Sequence, residues 1–206
     1  MIQDLSLTKY LYCILFFILV SFTKDTSSFD LGIIVDKKLE RTSLNYIKKG
    51  LMKYYNCKVH LLEDIDLPKA FRKDTINFPR LMDFLEKEIE TGYDKNIYLT
   101  ESGLTFKEGV KESIRGFTKT DGKYGIVSSL VVKNETSTKK EFKYQFLKVA
   151  IHEVGHLLGV GHCKNEKGKC VMISGQTYPK RFYNTDNEIC NICLEGIDGN
   201  VIRKKR

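Results

Sequence analysis

Hydrophobic residues follow two periodicities along the chain, and these predict strands that alternate with helices. Residues 31–36 (LGIIVD) and 58–63 (KVHLLE) are short apolar runs typical of buried strands. Between them, residues 42–55 carry apolar side chains at helical spacing, with lysines at the intervening positions. The same patterns predict a helix over residues 79–91 and a strand over residues 96–100.

Further along, residues 114–118 predict a short strand, and residues 124–132 (YGIVSSLVV) predict a longer one. A polar connection over residues 133–137 follows. Thr138 and Glu141 then have the spacing of a capping box, which predicts the start of another helix. Strands that alternate with helices favour an α/β (α+β) sheet with packed helices over a bundle or a sandwich.

Length and composition indicate one domain. The chain has 206 residues, of which 42% are hydrophobic and 29% charged, so it can bury one substantial core. It shows no repeat at a fixed period, and its three prolines form no linker between two folding units. We therefore predict a single domain over residues 25–206.

An apolar run at residues 10–22 precedes this domain. Its length is that of a secretory signal and is short for a membrane span, which needs about 20 residues. We predict a signal peptide or N-terminal membrane anchor over residues 1–24. The chain is then secreted, periplasmic or otherwise extracytoplasmic, and it contacts a membrane only through this segment if the segment stays uncleaved. If the segment is not a signal, the chain is cytoplasmic.

The net charge of +8 does not indicate a nucleic-acid partner. Basic residues are scattered among acidic ones, without the interleaved aromatic residues of a binding strip. The basic cluster at residues 203–206 is typical of a solvated terminus. We expect a monomer that binds no nucleic acid.

Residues 152–163 (HEVGHLLGVGHC) have the spacing of a catalytic zinc site. His152 and His156 are four apart on the predicted helix, so they project from one face and can reach one ion. Gly159 tolerates the positive φ that ends a helix, which allows His162 to return from another direction. Three imidazoles leave a fourth position for water, as in catalytic zinc sites.

Glu153 lies beside the predicted metal ligands and is the candidate general base. A zinc-activated water that loses its proton to Glu153 can attack a carbonyl polarised by the metal, so we predict a zinc metallopeptidase. The remaining histidine, His60, lies on a strand pattern and is interpreted as structural or surface. Tyr178 is a candidate donor for oxyanion stabilisation.

Two other functions remain open at this point. The first is a catalytically silent zinc-binding protein that binds peptides or proteins without turnover, because a motif alone does not establish substrate alignment. The second is a basic zinc protein that binds nucleic acid, which would leave Glu153 without a role.

Four cysteines follow the histidines. Cys163 and Cys170 form one short-spaced pair, and Cys190 and Cys193 form a Cys-x-x-Cys pair, which favours a closed structural zinc site with four thiolate ligands. Disulfides are the alternative, because the chain has the pattern of an exported protein. Cys57 is predicted to be a buried thiol.

The combined motif resembles the signature of the archaemetzincins, a family of the metzincin clan. The resemblance runs from the histidine motif at residues 152–163 through Cys170-x-Met172 to Cys190-x-x-Cys193. It extends upstream, more weakly, to residues 67–68, 72–85 and 125–130. Six residues separate Cys163 from Cys170, where the family usually has four.

The resemblance implies a metzincin-like domain with a mixed twisted sheet, an active-site helix and a peptide substrate. It implies a catalytic zinc on the three histidines, Glu153 as base, and a second zinc on the four cysteines that staples the C-terminal segment. Met172 would be the Met-turn residue, a hydrophobic floor beneath the metal. An antiparallel edge strand, for which residues 114–118 are the candidate, would bind an extended peptide.

Overall fold

The computed structural model describes residues 29–36, 38–63, 65, 67–71, 73–107, 113–165, 168–174, 182–195, 197 and 200–202. The predicted N-terminal segment, Tyr178 and the basic cluster at residues 203–206 lie outside these ranges. Among the helices of the described ranges, none combines the length and the apolarity that crossing a membrane requires.

A five-stranded mixed sheet forms the centre of the fold, as predicted. Its strands are β1 (Phe29–Val35), β2 (Cys57–Leu62), β4 (Lys95–Thr100), β6 (Gly116–Thr118) and β7 (Tyr124–Ser128). Their spatial order is β2-β1-β4-β7-β6. The first four in this order are parallel, and β6 pairs antiparallel with β7 at the edge of the sheet. Two further strands, β3 (Thr75–Asn77) and β5 (Gly103–Thr105), form a small parallel sheet.

Helices cover both faces of the main sheet. They are α1 (Arg41–Tyr54), α2 (Phe78–Glu88), α3 (Ser129–Glu135), α4 (Lys139–Leu157) and the short α5 (Asn191–Leu194). The apolar sides of α1 and α4 pack in one core cluster with alternate residues of the sheet, including Leu31 and Ile97. Residues on the other face, including Ile34 and Tyr98, pack against α2. The predicted α/β fold, a mixed sheet with packed helices, is therefore present in the described residues.

The prediction of a strand over residues 124–132 is wrong for the second half of this range. β7 ends at Ser128, and α3 begins at the next residue. The Ser128 hydroxyl accepts the N–H of Leu130 at 3.2 Å, which is an N-cap bond. The β-branched valines in this run favour a strand, but the cap and the burial of Val132 stabilise a helix instead.

Other differences concern element ends and short elements. The helix predicted to reach residue 91 ends at Glu88, because the chain is extended at Ile89. The edge strand begins at Gly116, while Ile114 forms only an isolated bridge with Leu104. The strands β3 and β5 were not predicted, since residues 75–77 (TIN) and 103–105 (GLT) lie in polar stretches without an apolar run or alternation around them.

The C-terminal half of α4 is buried on every side. Residues 145–157 are all buried, between the sheet, α1 and the C-terminal segment of the chain. At the N-terminus, Thr138 accepts the N–H of Glu141 at 3.1 Å, which confirms the predicted cap. The buried Tyr55 hydroxyl donates to the carbonyl of Ile151 at 2.7 Å. This helix carries the candidate site into the centre of the molecule.

Candidate metal centre and active site

The chain reverses direction immediately after α4. Gly159 has φ of 86°. Its N–H donates to the carbonyl of His156 at 3.0 Å, and the N–H of Val160 donates to the carbonyl of Gly155 at 3.0 Å. These two bonds with a left-handed glycine form a Schellman motif. The reversal returns His162 to the C-terminal end of the helix, as the sequence predicts.

The three imidazole rings converge through their Nε2 atoms. The Nε2 atom of His156 lies 3.0 Å from that of His152 and 3.3 Å from that of His162. The two histidines on α4 are also held at their other ring nitrogen. Nδ1 of His152 lies 2.8 Å from the carbonyl of Val171, and Nδ1 of His156 lies 2.7 Å from the carbonyl of Val160. A carbonyl can only accept, so Nδ1 carries the proton and Nε2 keeps its lone pair.

These distances and protonation states fit a zinc ion. A tetrahedral zinc with Zn–N bonds of about 2.0 Å separates its nitrogen ligands by about 3.3 Å. Burial, together with the neighbouring His156, lowers the pKa of His152 to about 3. Burial also lowers the pKa of His156 and His162. All three rings are therefore neutral near pH 7, as a metal ligand must be.

Glu153 lies next to this cluster and is almost completely enclosed, with 4% of its surface exposed. Burial raises the pKa of Glu153 to about 8, and the nearby Thr118 hydroxyl opposes this shift. Among the described residues, no group hydrogen-bonds its Oε2 atom. Gly116 of the edge strand packs directly on the carboxylate, since a Cβ at that position would lie 2.5 Å from Oε1.

The C-terminal segment closes the opposite side of the site. Met172 is fully buried against Gly155 of α4, where an added Cβ would lie 2.5 Å from the Met172 sulfur. The ring of Phe182 packs edge-on against His152, with the centroids 5.5 Å apart. The helix bearing the histidines is thus held between the edge strand and this segment.

The four cysteines form a second cluster. The Sγ atoms of Cys163 and Cys190 lie 3.7 Å apart, and those of Cys170 and Cys193 lie 3.9 Å apart. All four are free thiols, and all their sulfur atoms lie within 4.8 Å of one another. Zn–S bonds of about 2.3 Å in a tetrahedron separate the sulfurs by about 3.8 Å, so the cluster fits a zinc ion. The N–H of Cys190 also donates to Cys170 Sγ at 3.2 Å.

Other residues singled out from the sequence lie outside both clusters. His60 lies 2.6 Å from Asp30 and stacks on Tyr93, and Cys57 is buried in the main core.

Several residues around the site come from distant parts of the chain and were not predicted from the sequence: Glu135, Lys148, Phe182 and Tyr183. Arg115 and Gly116 lie in the predicted edge strand over residues 114–118, but the sequence did not predict their contacts around the site. Each belongs to a residue type common in any domain, and no local spacing marks any of them.

Comparisons with known proteins indicate the family to which this chain belongs. Residues 83–199 match the model of Peptidase family M54. The archaemetzincin of Natronomonas pharaonis is 26% identical over 156 residues, which cover 72% of this chain and 87% of that protein. The archaemetzincin of Nanoarchaeum equitans is 31% identical over 137 residues, which cover 62% of this chain and 67% of that protein.

Solved structures show the same fold. The crystal structure of archaemetzincin from Methanopyrus kandleri aligns with a TM-score of 0.65 at 22% identity, over 82% of this chain and 93% of that chain. The archaemetzincin of Archaeoglobus fulgidus, complexed with malonate, aligns with a TM-score of 0.63 at 20% identity, over 82% of this chain and 99% of that chain.

Together, the fold, the candidate zinc centre and the relatives define a zinc metallopeptidase. More specifically, the chain belongs to Peptidase family M54, the archaemetzincins.

Proposed function

We propose that this chain hydrolyses peptide bonds at a zinc ion held by His152, His156 and His162, with Glu153 as the general base. The observation that carries the proposal is the convergence of three Nε2 atoms beside a buried carboxylate. The Oε2 atom of that carboxylate has no hydrogen-bond partner among the described residues. A buried polar atom without a partner requires an explanation, and a catalytic role beside the three histidines supplies one for Oε2.

Each protein group has a distinct task in this mechanism. When bound, zinc supplies the Lewis acidity that activates a water molecule and polarises the peptide carbonyl. Glu153 accepts the proton of the attacking water at Oε2 and passes it to the leaving nitrogen. Burial alone raises the pKa of Glu153 to about 8, so the carboxylate would accept a proton near pH 7 only when the positive charge of a bound zinc ion lowers that pKa. The carbonyls of Val160 and Val171 keep the two helical rings in one orientation.

The open edge of β6 is the proposed binding strip for an extended peptide or protein substrate. The N–H of Ser128 donates to the carbonyl of Arg115 at 2.8 Å, so Arg115 and Phe117 face β7. The backbone groups of Gly116 and Thr118, which alternate with them, therefore face away from the sheet. A peptide that pairs with this edge passes beside Glu153, which Gly116 touches.

We propose a second, structural zinc on Cys163, Cys170, Cys190 and Cys193. Four thiolates at tetrahedral spacing leave no position for water, so this ion would not take part in hydrolysis. The amide that donates to Cys170 Sγ supports the assignment, because such bonds stabilise thiolates. The ion would join the loop after His162 to the C-terminal segment.

Peptide-library digestion of purified protein, with and without a chelator, tests the peptidase proposal. Glu153→Ala is expected to keep its zinc and lower kcat about 10²- to 10⁴-fold, the usual contribution of a general base. His156→Ala is expected to lose both zinc and hydrolysis. Glu86→Gln, at an exposed ion pair with Lys119 on the protein surface, serves as the matched control and should retain full activity.

Two results would contradict the proposal. Equal cleavage by wild type and Glu153→Ala would remove Glu153 from its assigned role. A zinc-loaded wild type that cleaves no member of the library would favour the silent zinc-binding protein instead.

A further inference from the structure

Three side chains outside the metal clusters form a hydrogen-bonded group at the surface. The guanidinium of Arg115 donates from Nε to Glu135 Oε2 at 3.0 Å and from Nη2 to Oε1 at 2.7 Å. The same Nε lies 2.7 Å from the hydroxyl of Tyr183, which in turn donates to Glu135. The guanidinium also stands 4.8 Å from the centre of the Tyr183 ring. We call Arg115, Glu135 and Tyr183 the clasp.

The clasp joins three elements that are far apart in sequence. Arg115 leads into β6, Glu135 ends α3, and Tyr183 belongs to the C-terminal segment. The side chain of Arg115 is only 14% exposed, and that of Glu135 is 36% exposed. A two-pronged ion pair that also binds a tyrosine holds its geometry better than an isolated surface pair does. The clasp can therefore fix the distance between β6 and the C-terminal segment.

Each end of the clasp is one residue away from a group that touches the catalytic site. Arg115 precedes Gly116, which packs on the carboxylate of Glu153. Tyr183 follows Phe182, whose ring packs against His152.

The backbone at both ends is also held. The carbonyl of Arg115 accepts the N–H of Ser128 at 2.8 Å, and the carbonyl of Tyr183 accepts Lys148 Nζ at 2.9 Å. These bonds hold the backbone next to Gly116, which contacts the base, and next to Phe182, which contacts a metal ligand; the clasp adds a side-chain link between the two.

We propose that Arg115 is a positioning residue for peptide hydrolysis, acting through the clasp to hold β6 and Phe182 in place around α4. This inference rests on the proposed function of the site. Small displacements of a base from its working geometry can lower a rate about 10²-fold, so a loosened clasp reduces turnover without removing zinc. Direct capture of an acidic substrate group by Arg115 is disfavoured, because Glu135 already neutralises its charge.

Four variants test the proposal. Arg115→Gln removes the charge and the two parallel bonds to Glu135, whereas Arg115→Lys keeps only the charge. Tyr183→Phe removes one hydroxyl, and Glu135→Gln replaces the carboxylate acceptor with a neutral amide. Arg41→Gln is the matched control, since it breaks an arginine–glutamate pair with Glu63 in which the arginine side chain is 82% exposed. kcat and KM are measured on the best library peptide and expressed per zinc-loaded molecule.

We expect Arg115→Gln to lower kcat about 10- to 100-fold, with unchanged zinc content and KM within about threefold of wild type. Arg115→Lys should recover only part of the loss, because an ammonium cannot bind both oxygens in parallel. Tyr183→Phe, which keeps its shape, is expected to lower kcat about threefold or more. The double variant that combines Arg115→Gln with Glu135→Gln should have a kcat no lower than that of Arg115→Gln alone, since both residues act in one hydrogen-bonded group.

Hydrogen–deuterium exchange supplies a readout that does not depend on turnover. Amides of residues 113–118 and 182–185 should exchange faster in Arg115→Gln, while those of α4 stay protected.

Wild-type kcat in both Arg115→Gln and Tyr183→Phe would overturn the positioning role, as would a raised KM confined to acidic peptides. If Arg115→Gln does not fold, Tyr183→Phe decides alone. Failure of wild type to cleave any peptide would count against the proposed function and not against the clasp, which the exchange rates test separately.

Discussion

Gly159 and Gly161 lie two residues apart after α4, and their backbone requirements differ. Gly159 adopts φ of 86°, whereas Gly161 has no positive φ. A Cβ at either position would meet nothing within 4 Å. Only Gly159 is therefore required for its conformation, and the requirement comes from the left-handed backbone alone.

Gly159→Ala should accordingly destabilise the folded protein by about 1–2 kcal/mol, because an L-residue is strained in this conformation. The strain falls on the turn that delivers His162, so zinc binding should weaken as well. Chemical denaturation and competition with a metal chelator measure the two effects. Gly161→Ala is the matched control and should change neither quantity, and equal behaviour of the two variants would contradict the interpretation.

The residues of the histidine site can be found from the sequence because they are local. His152, His156 and His162 span eleven positions, and helix geometry with one glycine turn determines how they meet. The clasp is different, because Arg115 and Tyr183 are 68 residues apart. Their contact depends on how three elements pack, and no spacing along the chain encodes it.

The helix α4 departs from the usual amphipathic design of a helix at a domain surface. Its C-terminal half is buried all round, so polar residues inside it need partners there. Lys148 is fully buried and donates from Nζ to the carbonyls of Tyr183 at 2.9 Å and Thr185 at 2.6 Å, with Phe182 at 3.5 Å. One lysine thus holds the segment that carries Phe182 against His152.

Lys148→Met should preserve the volume of the helix side chain and remove the donor. The carbonyls left without a donor should lower the free energy of unfolding by about 1–3 kcal/mol. Lys140→Met, at an exposed position of the same helix, provides the control and should be nearly neutral. Denaturant titration of both variants measures the difference. A Lys148→Met protein as stable as wild type would show that the carbonyls do not depend on this lysine.

The strands and helices of four or more residues could mostly be predicted, because their apolar periodicity matches the faces that they bury. The run at residues 129–132 could not, since its valines suit a strand as well as a helix and the choice depends on packing. Residues 75–77 and 103–105 pair with each other across 28 positions and lie in polar stretches without an apolar run or alternation.

At the scale of the whole molecule, the C-terminal segment is attached to the domain at separate points. The cysteine cluster attaches it beyond His162. Near the end of the described chain, the N–H of Asn56 donates to the carbonyl of Val201 at 2.8 Å, and Tyr55 forms a bridge with Ile202. A metal at the cluster would therefore stabilise the fold as a whole and not only the loop around it.

Reduced, purified protein should accordingly contain two zinc ions per chain by metal analysis. Cys193→Ser should contain one and unfold at a lower temperature, because the remaining thiolates bind the ion more weakly. Cys57→Ser, a buried cysteine outside the cluster, is the control and should still contain two. If the wild type contained one zinc ion and mass spectrometry found disulfides, the four cysteines would form disulfide bonds and not a metal site.

The edge position of β6 has a consequence for solubility. An unpaired strand edge can recruit the strand of a second copy and begin aggregation. In this chain the edge strand is only three residues long, so a neighbouring molecule would gain few backbone bonds by joining it. The shortness of the edge strand therefore limits fibril growth from folded molecules.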